Sequence, residues 1–370
     1  MEDNSFNPQL TETTQKDIVC KNCAAKLEFE PGTTSLKCPY CGTVNEIEIK
    51  AETIEELDFN AVLSELEIDG DTMEEVHTIA CEACGAVTTL EANVVSAECP
   101  FCGNKLIVKN EKTIKQIKPK SLLPFKVTSK EALDSFHKWL KKLWFAPPGL
   151  RKFASQAEKL AGIYLPYWTY DSNTYTQYKG QRGDDYYVTE TYTGSDGKTQ
   201  TRQVKKTRWT NVSGSISLFF DDVLVLASKS LPREKTEKLE PWDLTNLVPF
   251  DEKFLSGFKA ESYAVGLKDG FEIAKQRMDT PIREAIKRQI GGDHQRITWM
   301  QVHYSDITFK HTLLPIWISA YRFKNKVYRF IVNGQTGKVQ GERPWCWWKI
   351  ALVVLAVIGL MVLIAYLGGE

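Results

Sequence analysis

The chain reads as an α+β protein: two small four-cysteine modules, a strand-rich mixed body and one apolar C-terminal helix. Three observations carry that reading. They are a duplicated cysteine quartet before residue 110, a switching of hydrophobic period between helix and strand from 110 to 344, and an uncharged apolar run at 350–367. With 370 residues and 42% hydrophobic content the chain can hold more than one core.

Residues 1–16 are polar and are expected to be a disordered lead-in, since they show neither a basic n-region nor an apolar run. The first quartet follows in 17–48 as Cys20, Cys23, Cys38 and Cys41. The second lies in 77–109 as Cys81, Cys84, Cys99 and Cys102, every member displaced by 61 residues. In each, two CxxC pairs are 14 residues apart and the second pair reads Cys-Pro-aromatic-Cys-Gly. A CxxC turn brings two thiolates onto one ion, and a second such turn completes a tetrahedral sulfur shell suited to Zn²⁺. Gly42 and Gly103 stand where each knuckle bends back, a position that favours positive φ. The pattern predicts two zinc ribbons holding two structural Zn²⁺ ions, with no open coordination position. A redox CxxC comes singly beside a βαβ pattern, and a disulfide framework belongs with a secretory signal; matched quartets fit neither. His77 is a bystander to a shell already complete.

The connector, 49–76, is acidic. Leu57, Ala61, Val62 and Leu66 fall near helical spacing and Gly70-Asp71 ends the pattern, so a short helix is expected. It is either a solvated spacer or a docking helix, for a partner or for the chain's own body. Residues 1–110 carry 21 acidic and 7 basic side chains, while the rest carries 26 and 40, so a net charge of zero conceals two complementary halves. An acidic ribbon pair is poorly suited to neutralising phosphates.

In the body, 110–344, Thr128 and Glu131 form a capping box, and the helix behind it puts Leu133, Phe136, Leu140 and Leu143 on one face, with Trp139 and Trp144 at its margins. Ala146-Pro147-Pro148-Gly149 stops it. From Gly162 to Ala227 Tyr, Thr and Val alternate with polar residues, and Tyr186–Thr193 with Lys198–Trp209 reads as a long hairpin turning at 194–197. Gly197-Lys198-Thr199 is no phosphate loop, because Tyr192 stands where the first Gly belongs. Asp221-Asp222 after an apolar run resembles a metal-holding strand end only superficially. A second helical region, 265–290, is expected to restart at Thr280-Pro281 and end at Gly291-Gly292. Strands at 307–320 and 326–332 close the body. Leu123-Pro124-Phe125 before a helix and Leu165-Pro166-Tyr167-Trp168 after it are echoed by Val248-Pro249-Phe250 and Leu314-Pro315-Ile316-Trp317, which suggests an internal duplication. His137, His294, His303 and His311 are scattered, in no nucleophile or metal motif, so no enzyme is expected.

The helix at 345–367 contains 18 uncharged residues from Ile350, or roughly 27 Å at 1.5 Å per residue, flanked by Trp345, Trp347, Trp348 and Lys349. Arg322, Lys324, Lys326, Arg329, Lys338, Arg343 and Lys349 precede it and no basic residue follows, which predicts a single span of the cell membrane with the body in the cytoplasm. The same cluster attracts anionic lipid headgroups. Cys346, at that interface, is either a site of acylation or an unmodified interfacial thiol, the second being the expectation.

The ribbon motifs Cys20-Lys21-Asn22-Cys23 and Cys38-Pro39-Tyr40-Cys41-Gly42, with their second copies, resemble transcription factor IIB-type ribbons. The whole arrangement resembles a group of bacterial membrane-anchored tandem zinc-ribbon proteins, often labelled by similarity as primosomal protein N′ (replication factor Y), a superfamily II helicase. The helicase label implies an ATPase, for which this sequence supplies neither phosphate loop nor DExH box. The expectation is a tail-anchored, non-catalytic protein presenting its ribbons to the cytoplasm for protein–protein recognition or assembly. The alternative is a replication- or transcription-related nucleic-acid-binding protein.

Overall fold

The structure, a computed structural model, describes residues 18–49, 53–66, 73–82, 86–89, 96–99, 101, 104–107, 111–150, 160–193, 199–323 and 326–367. The expected lead-in, the helix stop at Gly70-Asp71, the hairpin turn at 194–197, Cys84, Cys102 and Gly103 lie outside these residues.

The first cysteine module is a three-stranded antiparallel sheet of β1 (Glu28–Phe29), β2 (Ser35–Lys37) and β3 (Val44–Glu46). The connector adds β4 (Leu57–Asp58) and α1 (Phe59–Leu66). Asp58 accepts from the Ala61 N–H at 2.7 Å and caps the helix. Of the expected stripe, Leu57 falls in β4 and Ala61 is exposed; Phe59 and Val62 are the buried side chains. The second module is framed by β5 (Met73–Ala80), β6 (Val87–Thr89), β7 (Ser96–Glu98), β8 (Lys105–Ile107) and β9 (Glu111–Ile117). There β5 pairs with β6 and β9, which places His77 opposite Thr113.

The body begins with β10 (Ser121–Leu122) and α2 (Ser129–Lys141), whose capping box is formed as expected: Glu131 accepts from the Thr128 N–H at 2.8 Å, and Thr128 from the Glu131 N–H at 3.3 Å. Then come β11 (Ala161–Thr193), β12 (Thr199–Leu226), α3 (Arg233–Glu237), β13 (Val248–Pro249), β14 (Lys259–Ala260) and α4 (Leu267–Ile290). The chain closes with β15 (His294–Phe323), β16 (Lys326–Asn333), β17 (Val339–Gly341) and α5 (Trp347–Leu367). The strands outrun expectation at both hairpin arms and at β15. Their outer halves are rich in Thr, Gln and charged side chains with few aliphatic residues, so the alternation persists while its hydrophobic contrast fades. Helix α4 is continuous through Pro281, against the expected restart; Pro281 is exposed, so its missing N–H falls on the helix's outer side.

The long strands β11 and β15 run antiparallel with Leu165 opposite Leu314, and the molecule is pseudo-symmetric about that pair. Strand β10 lies parallel to β15 at Thr312-Leu313, and β14 lies parallel to β11 at Ile163-Tyr164. The Leu123 N–H donates to Leu313 and the Glu261 N–H to Tyr164. Lys126 and Val127 donate to the Gly334 carbonyl as Ala264 and Val265 donate to that of Ala227. Trp317 Nε1 donates to Val127 at 2.8 Å, and Trp168 Nε1 to Val265 at 2.9 Å. Phe125 lies 4.8 Å from the Trp317 ring and Tyr263 5.0 Å from that of Trp168. The duplication therefore exists, with one partner corrected: Leu123-Pro124-Phe125 corresponds to Glu261-Ser262-Tyr263. Val248-Pro249 instead pairs directly with β10. From Phe125 to Leu165 is 40 residues and from Tyr263 to Leu314 is 51, a difference that matches α2 having 13 residues and α4 having 24.

Alternation along β11 and β15 gives the sheet two buried faces. Tyr164, Trp168, Tyr170, Phe309 and Trp317 meet α2, α4 and the first module, whose Phe29 ring stands 5.1 Å from Phe254. Ile163, Leu165, Tyr167, Leu314 and Ile316 meet the second module through Ile79, Cys81, Cys99 and Phe101. The two cysteine modules thus cover opposite faces of one sheet. Trp168→Phe and Trp317→Phe each leave a valine carbonyl unpaired beside a helix start. Each is expected to destabilise the detergent-solubilised chain by about 2 kcal/mol in thermal unfolding, and by similar amounts.

Candidate metal centre

The four thiols of the first module come together because its two CxxC turns fold identically. The Cys20 N–H donates to the Ala25 carbonyl and that of Cys38 to Thr43, both at 2.8 Å, while Ala24 and Gly42 donate back to Cys20 and Cys38 at 2.8 and 3.0 Å. The residue closing each turn is left-handed: Gly42 at φ 74°, as expected, and Ala24 at φ 58°, where the sequence offered no glycine to mark it. The first cysteine of each pair is buried and the second exposed.

All four sulfurs lie within 4.8 Å of one another, with Cys20–Cys41 and Cys23–Cys38 at 3.5 Å. Those separations are far beyond a disulfide bond, about 2.05 Å, and close to the edge of about 3.8 Å implied by a metal–sulfur distance of 2.3 Å in a tetrahedron. The electrostatics point the same way. Hydrogen bonds from the Thr43 hydroxyl and N–H bring the Cys41 thiol down to about 5. Cys23 is pushed up to about 12; the backbone N–H of Ala25 favours its thiolate, but Cys38 and Cys41 outweigh it. Four thiolates so close are mutually repulsive, and a cation among them removes the conflict. The quartet fits a metal ion.

The second quartet repeats the turn as far as it is described. The Cys81 N–H donates to Ala86 at 2.8 Å and that of Cys99 to Asn104 at 2.7 Å, and both cysteines are buried. The two knuckles differ in the aromatic residue of the Cys-Pro-aromatic-Cys motif. Tyr40 is 82% exposed and Phe101 is 1% exposed. Val19, Val44 and Ile49 are exposed on the same module as Tyr40.

A second polar cluster sits where β-bulges interrupt β11 against both neighbours, at Asp171. The carboxylates of Asp171, Asp221 and Asp222 lie within 4.8 Å of one another, and Asp222 is left-handed at φ 50°. Asp171 was missed by sequence reasoning, although a Asp-Ser-Asn run inside a strand is a signal for a bulge. The cation here is already supplied by Lys310, whose ammonium is 2.8 Å from Asp222 and 3.0 Å from Glu56 of the connector. Burial opposes the Lys310 charge, but its carboxylate partners outweigh that and hold its pKa up. Asp171 is raised to about 6 by burial, against the Asp222 N–H that favours its anion, with Glu56 adding to the rise. Glu55 reaches Lys120 at 3.7 Å, and β4 pairs with β15 at Thr308-Phe309. The acidic connector is thus folded onto the basic body.

The C-terminal helix α5 has 21 residues, about 31 Å, and is long and apolar enough to cross a membrane; its described side chains from Ala351 to Tyr366 are all exposed. The basic residues Arg343 and Lys349 at its root lie over the rings of Trp345 and Trp348.

The chain is 27% identical over 344 residues to a protein of Bacillus subtilis (strain 168) described as "Uncharacterized protein YdjG", covering 92% of this chain and 93% of that one. No family model matches, and no solved structure matches.

Replacing Lys310 by Met strands three carboxylates, and a loss of about 3–5 kcal/mol is expected in unfolding experiments. Asp171 binds its proton more tightly folded than unfolded, where its pKa is about 3.9. Its protonation therefore favours folding below about pH 4, and that contribution is lost as pH rises through 6. The difference between unfolding midpoints of the chain and its Asp171→Asn variant, followed from pH 4 to 7, should trace that loss.

Proposed function

We propose that this chain is a single-pass, tail-anchored protein of the cell membrane, its body cytoplasmic, that uses two structural Zn²⁺ ions to hold a surface for protein–protein recognition. The observation that carries this reading is the unequal fate of one duplicated motif. Phe101 is packed into the body's core, whereas Tyr40 stands in solvent on a four-cysteine knuckle whose module also exposes Val19, Val44 and Ile49. An exposed aromatic on a module that exposes other apolar side chains is the composition from which interface hot spots are drawn. Cys20, Cys23, Cys38 and Cys41 would hold one ion, and Cys81, Cys84, Cys99 and Cys102 the other. Sulfur-only shells suit Zn²⁺ and leave it no open position, so each ion would supply folding energy and no catalysis. The basic residues Arg343 and Lys349 before α5 support the cytoplasmic orientation.

Two measurements test this. Elemental analysis of the purified chain should give two zinc ions, falling to one in Cys20→Ser/Cys23→Ser; iron in their place would refute the assignment. Tyr40→Ala should abolish co-purification of a specific partner from detergent extracts while leaving zinc content and unfolding midpoint unchanged. Phe101→Ala, at the buried equivalent, should cost about 3–5 kcal/mol of stability.

One observation favours nucleic acid as a second reading. The outer sheet face opposite α4 presents Tyr175, Phe219 and Trp299, 44–63% exposed, together with Gln177, Gln301, Lys179 and Arg296. Lys179 lies over Trp299 at 5.7 Å and Arg296 over Trp209 at 3.8 Å. Aromatic platforms with cations suit stacked single-stranded bases. Salt-sensitive retention of an oligonucleotide on a filter, lost in Tyr175→Ala/Trp299→Ala, would decide for it.

A further inference from the structure

The foot of α5 is not formed by the C-terminal sequence alone. The turn after α2 reaches it from 200 residues upstream in the chain. The Cys346 N–H donates to the Phe145 carbonyl at 2.8 Å, and Lys349 Nζ donates to the carbonyls of Ala146 at 2.9 Å and Trp144 at 3.3 Å. These bonds pin the loop 144–146 to the first turn of the apolar helix. Between them lies an open cleft of about 670 Å³ whose walls include Lys141, Lys142, Trp144, Pro147, Pro148 and Lys349.

Trp144 is the telling side chain. The sequence places it at the margin of an amphipathic helix; in the structure it lies past the end of α2 and is 81% exposed. Trp347, 76% exposed, and Trp348, 56% exposed, belong to the first turn of α5, to which this loop is pinned. Exposed tryptophans beside lysines, at the root of an apolar helix, match the composition of the headgroup layer, where indole rings and ammonium groups are both solvated favourably. Lys141 and Lys142 are exposed, and they close α2 at its C-terminal end. Two lysines near an anionic leaflet are each worth about 1 kcal/mol, or about fivefold in local lipid preference.

We propose that the α2 turn is a second membrane contact, in which Trp144 enters the headgroup layer and the cleft beside it takes the phosphate of an anionic phospholipid between Lys141, Lys142 and Lys349. This rests on α5 spanning the membrane, as proposed above. The body would then lie against the bilayer by two points, which fixes its rotation about α5 and the direction in which Tyr40 faces.

The experiment uses the full chain reconstituted in vesicles of phosphatidylglycerol or of phosphatidylcholine. A photoreactive benzophenone side chain is placed in turn at Trp144, at Tyr366 within α5, and at Tyr40 on the first module; all three positions are at least 77% exposed, so folding is preserved. Lipid adducts are read by mass. The expected result is adduct formation at 366 in both lipids, at 144 several-fold more in phosphatidylglycerol, and none at 40. Lys141→Gln/Lys142→Gln should remove the phosphatidylglycerol preference at 144 and leave 366 unchanged. Adducts at 366 without any at 144 would overturn the second contact and leave the span intact. Equal yields at 144 in the two lipids would overturn the anionic site. No adducts at either position would defeat the span, and this inference with it.

Discussion

The antiparallel pairing of β11 with β15 about Leu165 and Leu314 is the constraint on which the rest of the structure depends. Both strands are buried on both faces here, so every element of the chain that needs a hydrophobic partner must find it on one side or the other. The twofold relation decides who goes where. Each strand receives a short parallel strand from the opposite repeat, and each repeat's tryptophan, Trp168 or Trp317, hydrogen-bonds the carbonyl just before a helix start. A buried indole N–H without a partner would cost the desolvation of that donor, so the helix entry and the ring position lock one another.

Upon that symmetric frame the N-terminal third is distributed asymmetrically. One cysteine module seals the helix face and the other the reverse face, while the connector crosses between them on Glu55, Glu56 and β4. The charge complementarity of the two halves is thereby used inside the molecule. Glu56, Asp171 and Asp222 gather around one buried lysine, and a pair of bulges creates the room. Acidic side chains committed to Lys310 and Lys120 are not available to repel or attract an outside partner. Among the described residues, Tyr40, the outer sheet face and the foot of α5 are among the surfaces that the docking leaves exposed.

Small cysteine modules cannot bury a core of their own. The arrangement answers this twice over, with a thiol cluster suited to an ion and with apolar contacts to a large sheet. An ion bound at these thiols would reinforce the docking, because Cys20, Cys38, Cys81 and Cys99 each belong to a hydrophobic cluster shared with the body. The modules are therefore parts of the folded body, and the picture of a head held apart from it by a spacer does not describe the chain.

Local chemistry was readable in the sequence. The cysteine spacing placed Cys20, Cys23, Cys38 and Cys41 around one point, Gly42 announced its left-handed turn, Thr128 and Glu131 announced a helix start, and the uncharged run before 367 announced a helix long enough to span a membrane. Each of these depends on residues close in the chain or on composition, where backbone geometry and transfer energy act alone. The other decisions were tertiary. Tyr40 and Phe101 occupy the same motif position, and only the shape of the sheet that each module meets leaves one exposed and buries the other. Asp171 gains its role from bulges that bring it to Asp222 and Lys310, Trp144 from a loop that reaches α5, and the true repeat from pairings between distant strands. Such contacts are set by which surfaces are left to be covered once the two long strands have paired, and no local pattern of residues encodes that.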